Sequence, residues 1–140
     1  MKNLARILPF TLLLSACFLL LNACGDDHKK EIKALSEETN QIHDEAMKEM
    51  AEMNRIAREL KQTMISATML PEQSEVYNKT LESMGKAEND MMDWMKNHKS
   101  LDEIPEKDAL AYLKEQKASI EKNRADIQAA IQAGKQLQAK

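Results

Sequence analysis

Glycine, proline, cysteine and aromatic residues are all scarce in this chain. Three glycines and three prolines among 140 residues leave little of the turn chemistry that hairpins and barrels need. One tryptophan, two tyrosines and two phenylalanines, with few β-branched residues, argue against a sheet. The two cysteines, Cys17 and Cys24, both fall in the first 24 residues, so residues 25–140 carry no thiol. That excludes disulfides, cysteine-ligated metals and thiol catalysis from this part of the chain. An excess of basic charge is also missing. Lysine and arginine number 20 against 23 acids, for a net charge of −3. Nucleic acid, which asks for a basic patch, is not an expected partner.

What is present begins with an address. Lys2 and Arg6 precede an apolar run from Ile7 to Leu21, a charged segment followed by a hydrophobic one as in a secretory signal. About 15 apolar residues are short for a membrane span. The run closes in Leu21-Asn22-Ala23-Cys24, which resembles the lipobox of bacterial lipoproteins. The resemblance implies a signal peptide over residues 1–23, cleavage before Cys24 and acylation of that cysteine. Leu14-Ser15-Ala16-Cys17 also fits the pattern, but cutting there would leave Phe18-Leu19-Leu20-Leu21 in the product, whereas Cys24 is followed at once by polar sequence. Two or three acyl chains on Cys24 would anchor the protein without a spanning helix, since each buried methylene contributes about 0.8 kcal/mol. Loss of Lys2 and Arg6 leaves 18 basic residues against 23 acids, a net charge near −5. Asp26 and Asp27 follow Gly25 and resemble the acidic sorting signals of such lipoproteins, which in some groups hold them at the inner membrane and in others direct them to the surface. The expected location is the bacterial cell envelope, lipid-anchored at the outer membrane, facing the periplasm or the outside. Residues 24–30 serve as lipidated cysteine and tether, and residues 31–140 as the folded domain.

The remaining sequence reads as helix, being rich in Ala, Glu, Lys, Gln and Met. A first helix is expected from about His28 to Met69. Its apolar or small residues Ile32, Leu35, Ile42, Ala46, Met50, Met53, Ala57, Leu60, Met64 and Ala67 keep to one face. Pro71 ends the segment by pushing residue 70 out of the helical region. A second helix spans about Glu72 to His98, with Tyr77, Leu81, Met84, Met91, Met95 and His98 on a four-three seam in which Glu88 takes the missing place. Ser100-Leu101-Asp102-Glu103 fits a capping box and Pro105 suits a helix start. The third helix runs to about Leu137 with Leu110, Leu113, Ile120, Ile127, Ile131 and Leu137 inward, and Gly134 is expected to weaken its last turns. Short connections make sequential helices antiparallel. The expected fold is all-α, an up-down-up three-helix bundle with a longer first helix. The second helix reaches back only to about residue 43, so His28 to Ile42 should overhang. Its stripe of Ile32, Leu35 and Ile42 is a candidate surface for self-association or a protein partner, unless Leu101 and Ile104 fold over it.

One constellation stands out. In MMDWMKNH, Met91, Met95 and His98 recur at i, i+4 and i+7 beside Trp94. Pairing across the turn near residue 71 sets residues that sum to about 142 opposite each other. His43 then meets the His98 region, and Met47 faces Met95. Thioether and imidazole donors suit Cu(I), with Trp94 as a possible cap through its ring face. The candidate metal ligands are His43, Met47, Met91, Met95 and His98. Non-covalent haem is a further option for His and Met, disfavoured because the seam is bulky. The competing reading is packing, since methionine fills cores and favours aromatic neighbours. Met53, Met64, Met69 and Met84 lie away from the cluster and show the same habit. His43-Asp44-Glu45 lacks the second histidine of a zincin motif. No Ser–His–Asp set or phosphate loop occurs, so no catalytic residues are assigned and no enzyme activity is expected. Tyr112 is expected to pack with its hydroxyl outward. An envelope chaperone would need a large exposed apolar groove, which the seam does not supply.

The lipobox at Cys24, IHDEAMKEM (Ile42–Met50), MMDWM (Met91–Met95) and AYLKEQKASIEKNRADI (Ala111–Ile127) together resemble a group of small Bacteroidota lipoproteins labelled "viral A-type inclusion protein". The resemblance implies a helical envelope lipoprotein and carries no activity. The leading expectation is a structural or protein-interaction role, with Cu(I) binding as the alternative.

Overall fold

In a computed structural model, residues 27–139 are described. The expected signal peptide, Cys24 and its first neighbours lie outside the described residues. Three α-helices follow one another: α1 (Leu8–Ser66, described from Asp27 onward), α2 (Pro71–Asn97) and α3 (Glu106–Gln138). A single 3₁₀ turn, Leu101–Glu103, lies between α2 and α3. The chain divides after Ala34, and the bundle is Leu35–Lys140. The all-α, three-helix expectation holds, and the first helix is the longest. Among the described residues there is no strand, and no helix is long and apolar enough to cross a membrane.

The helix ends follow local chemistry. Leu70, held extended (φ −69°, ψ 151°) by the following proline, breaks the chain between α1 and α2. Pro71 occupies the first position of α2, where its missing N–H costs nothing. The Gln73 side chain accepts the Leu70 N–H at 3.0 Å. The predicted box at Ser100 forms, with Glu103 accepting the Ser100 N–H at 3.1 Å. It caps the 3₁₀ turn rather than α3, because Pro105 interrupts the backbone ladder and α3 starts only at Glu106.

Two registers set the bundle. α2 and α3 run antiparallel. Along that interface, Tyr77 Oη lies 3.5 Å from the Leu137 carbonyl, Asn123 donates to the Asp90 carbonyl at 3.2 Å, and His98 meets Gln116 at 3.2 Å. α1 and α3 run parallel at an offset of 79 residues, which recurs in Arg124–Glu45, Gln128–Glu49 and Gln138–Glu59. Lys117 and Glu38 share the same offset at 2.7 Å. Glu38, Glu45, Glu52 and Glu59 are spaced by one heptad on α1, and each meets α3. Arg124 is the hub. Its Nε and Nη2 fork onto Glu49 at 2.8–3.2 Å, while Nη1 reaches Glu45. The hydrogen bond from Arg124 holds the Glu49 carboxyl below its ordinary value, against burial, with Gln128 assisting.

The core differs from a two-helix seam, and that changes two expectations. Thr39, Ala46, Met53 and Leu60 form a heptad column on α1, joined by Met50 and Ile56. On α2 the buried set is Thr80, Met84, Ala87, Met91 and Trp94, so Thr80, Ala87 and Trp94 take the places expected for Leu81, Glu88 and Met95. Each helix of a three-helix bundle faces two neighbours, so the buried stripe is wider than one seam and turns toward the shared axis. Thr39 and Thr80 enter the core by donating their hydroxyls back to the Leu35 and Val76 carbonyls, at 2.7 and 3.0 Å. Gly134 does not loosen α3. It is buried where the three helices approach, and a Cβ there would lie 2.6 Å from both Ile56 Cγ2 and Met84 Cε. Ile42, expected on a free overhang, packs against the core. α3 covers α1 at least to Glu38.

Candidate functional site

The residues picked out of MMDWMKNH do converge. α1 brings His43, α2 brings Trp94, and the C-cap of α2 brings His98. The His43 ring lies 5.5 Å from Trp94 and 25° from coplanar, while the His98 ring lies 4.5 Å away at 24°. Both imidazoles therefore stack on the indole. Trp94 is 9 % exposed and belongs to the core, because α2 turns this column inward. Of the methionines, Met91 is fully buried, and Met47 and Met95 are half-buried against the same core. Asn54 donates to Glu88 at 3.2 Å, as the predicted pairing between α1 and α2 requires. The same register sets Met47 opposite Met95.

The polar atoms of the two histidines have different surroundings. His98 Nδ1 lies 3.2 Å from Gln116 Oε1 and 3.4 Å from the Tyr112 hydroxyl. His43 Nδ1 lies 3.2 Å from the exposed Asp44 carboxylate. Its Nε2 is sealed from solvent with no hydrogen-bond partner, and so is Trp94 Nε1. Leaving such groups unpaired costs about 1–3 kcal/mol each, which makes this pair the least satisfied spot of the described core.

α3 supplies neighbours that the sequence reading missed. Tyr112 is not a side chain with an outward hydroxyl. Its oxygen accepts the Lys99 N–H at 2.6 Å, and its proton can go to the Lys99 carbonyl at 3.3 Å or to His98. Its ring lies 5.9 Å from that of His98. Tyr112 thus ties down the end of α2, where the backbone would otherwise lack partners. Gln116, Ser119 and Asn123 line a shallow polar groove of about 330 Å³ with Asp90, Asp93, Trp94 and Asn97. An antiparallel pairing of α2 with α3 applied to the sequence would have placed Tyr112 and Gln116 beside His98.

Among the described residues no group of three or more His, Cys, Asp or Glu side chains is arranged to hold a metal. A site here would therefore have to draw on thioethers and the indole. No family model, curated protein or solved structure matches this chain.

Proposed function

We propose that this protein is a lipid-anchored envelope bundle that works by holding another protein, without catalytic chemistry of its own. The observation that carries this reading is the distribution of exposed large apolar side chains. Of the four exposed large apolar side chains among the described residues, Ile65 (80 % exposed), Leu70 (61 %) and Val76 (49 %) surround the turn between α1 and α2, and only Met92 (52 %) lies elsewhere, near the other end of α2. From Gln62 to Pro71 no residue is charged, in a chain that is 31 % charged. A groove of about 420 Å³ beside them is lined by Ala67, Met69, Val76, Tyr77 and Leu137 among others. Turns are normally polar, and a cluster of apolar residues at a turn marks a contact surface.

The chain leading from Cys24 enters the bundle at Leu35, and α1 carries it to Ser66, about 48 Å further at 1.5 Å per residue. The turn is thus the end of the bundle remote from that entry. This reading moves the expected partner surface. Ile42 packs on the core, and Ile32 and Leu35 are half-buried, while the turn offers the more exposed apolar group. The resemblance to small Bacteroidota lipoproteins supports the same compartment.

Two measurements test the reading. Metabolic labelling with an alkyne fatty acid should mark the wild-type chain and not Cys24→Ser. A photo-crosslinker placed at Leu70 or Val76 in growing cells should yield a discrete adduct, whereas one at Glu82 should not. Unlabelled wild-type protein would refute the anchor. A turn that yields no adduct, or no more than Glu82, would refute the partner surface.

A further inference from the structure

We propose that His43, Met47 and Met95 form a binding site for one Cu(I) ion, with the face of Trp94 as its cap. The starting point is the histidine itself. Its side chain is about a quarter exposed, yet Nε2 is sealed and unpartnered while Nδ1 points to the exposed Asp44. With the Nδ1 proton donated to Asp44, Nε2 presents a lone pair to the interior. A carboxylate on the outer ring nitrogen and a bare inner nitrogen is the arrangement by which proteins orient a metal-binding imidazole.

The surroundings select the ion. Met47 lies one turn along α1 on the same face as His43, and the register set by Asn54 and Glu88 places Met95 opposite it. Both thioethers are half-buried rather than locked in the core like Met91. Two thioethers and one imidazole are soft, neutral donors that favour Cu(I) over zinc or the hard divalent ions. The indole stacked on His43 at 5.5 Å offers a π face to a cation. The Asp44 carboxylate offsets the single positive charge from the outer side of the imidazole. His98 backs the other ring contact of Trp94, with its Nδ1 turned to Gln116 and Tyr112. It positions the indole and donates nothing to the metal.

The alternative occupant is a buried water that accepts the Trp94 Nε1 proton and donates to His43 Nε2. The test uses the full-length chain in detergent with Cys17→Ser and Cys24→Ser, so that no thiol competes. Cu(I) is titrated anaerobically against a chromophoric chelator, and Ag(I) separately in air, with emission from the single tryptophan as a second readout. The expected result is one ion bound per chain in competition with the chelator, with Trp94 quenched. His43→Phe keeps the ring stack, and Met47→Leu with Met95→Leu keeps the apolar volume. Both should abolish competition and quenching while far-ultraviolet circular dichroism stays unchanged. Asp44→Asn should weaken binding by about 10–100-fold, and Met64→Leu should leave it unaltered. A cysteine-free chain with His43, Met47 and Met95 intact that neither competes nor quenches would overturn the site in favour of water. Binding that survives His43→Phe would overturn the ligand assignment.

Discussion

The same substitution should have opposite effects at two helical glycines. Alanine in place of glycine within a helix stabilises by about 0.5–1 kcal/mol, by restricting the unfolded chain. At Gly85, in the middle of α2, an added Cβ meets nothing within 4 Å, so Gly85→Ala should show that full gain. At Gly134 the added Cβ sits 2.6 Å from Ile56 Cγ2 and from Met84 Cε, about 1 Å inside normal contact. Met84 can swing its terminal methyl aside. Ile56 is fully buried, and a β-branched side chain in a helix is held to one χ1 rotamer, so its Cγ2 yields mainly by movement of α1. Overpacking of this kind costs about 1–3 kcal/mol, which outweighs the propensity gain. Gly134→Ala should lose about 0.5–2 kcal/mol net, and the two variants should differ by roughly 1–3 kcal/mol. Urea unfolding followed by Trp94 emission measures both. A double variant sharpens the assignment, because Ile56→Leu removes Cγ2 and should offset part of the Gly134→Ala loss, a coupling that separate sites would not show. If Gly134→Ala stabilises as much as Gly85→Ala, the close approach of the three helices at this layer is wrong.

The Arg124 hub gives further expectations. Arg124→Gln should cost about 1–2 kcal/mol, between the value of an exposed ion pair and that of a charged hydrogen bond, and Arg124→Lys should recover only part of it because lysine lacks the fork. Glu49 is held below its ordinary 4.5 by Arg124. Its contribution is therefore present above pH 4.5 and is lost as pH falls through the lower folded value. Thermal midpoints should accordingly drop more steeply on acidification in the wild type than in Glu49→Gln; parallel curves would show that the pair adds no stability. Tyr112→Phe removes the acceptor of the Lys99 N–H and should cost about 1 kcal/mol. Hydrogen exchange should speed up at Lys99 while amides around Met53 keep their protection, and uniform loss across the bundle would contradict a local tie.

Much of the architecture was legible in the chain because its determinants are local. Helix character followed from composition, and the breaks followed from Pro71 and Pro105. Hairpin pairing of α1 with α2 followed from a short turn, and it placed His43 beside the MMDWMKNH segment correctly. The third helix was harder. Which column of α2 turns inward depends on where α3 lies, so Trp94 and Ala87 were passed over for Met95 and Glu88. Gly134 looked like a weak point because nothing nearby in sequence reports on Ile56 or Met84.

By itself the sequence determined the helical class, the order of up, down and up, and the meeting of one histidine with the tryptophan. These rest on propensity, prolines and a single short turn, all effects within a few residues. Only the tertiary structure decided the parallel register of α1 and α3, which runs through the heptad of glutamates and Arg124. It also decided the inward column of α2, the tie of Tyr112 to the end of that helix, and the isolation of His43 Nε2. Each of these depends on how residues of different helices meet around one axis, and no local pattern encodes that rotation.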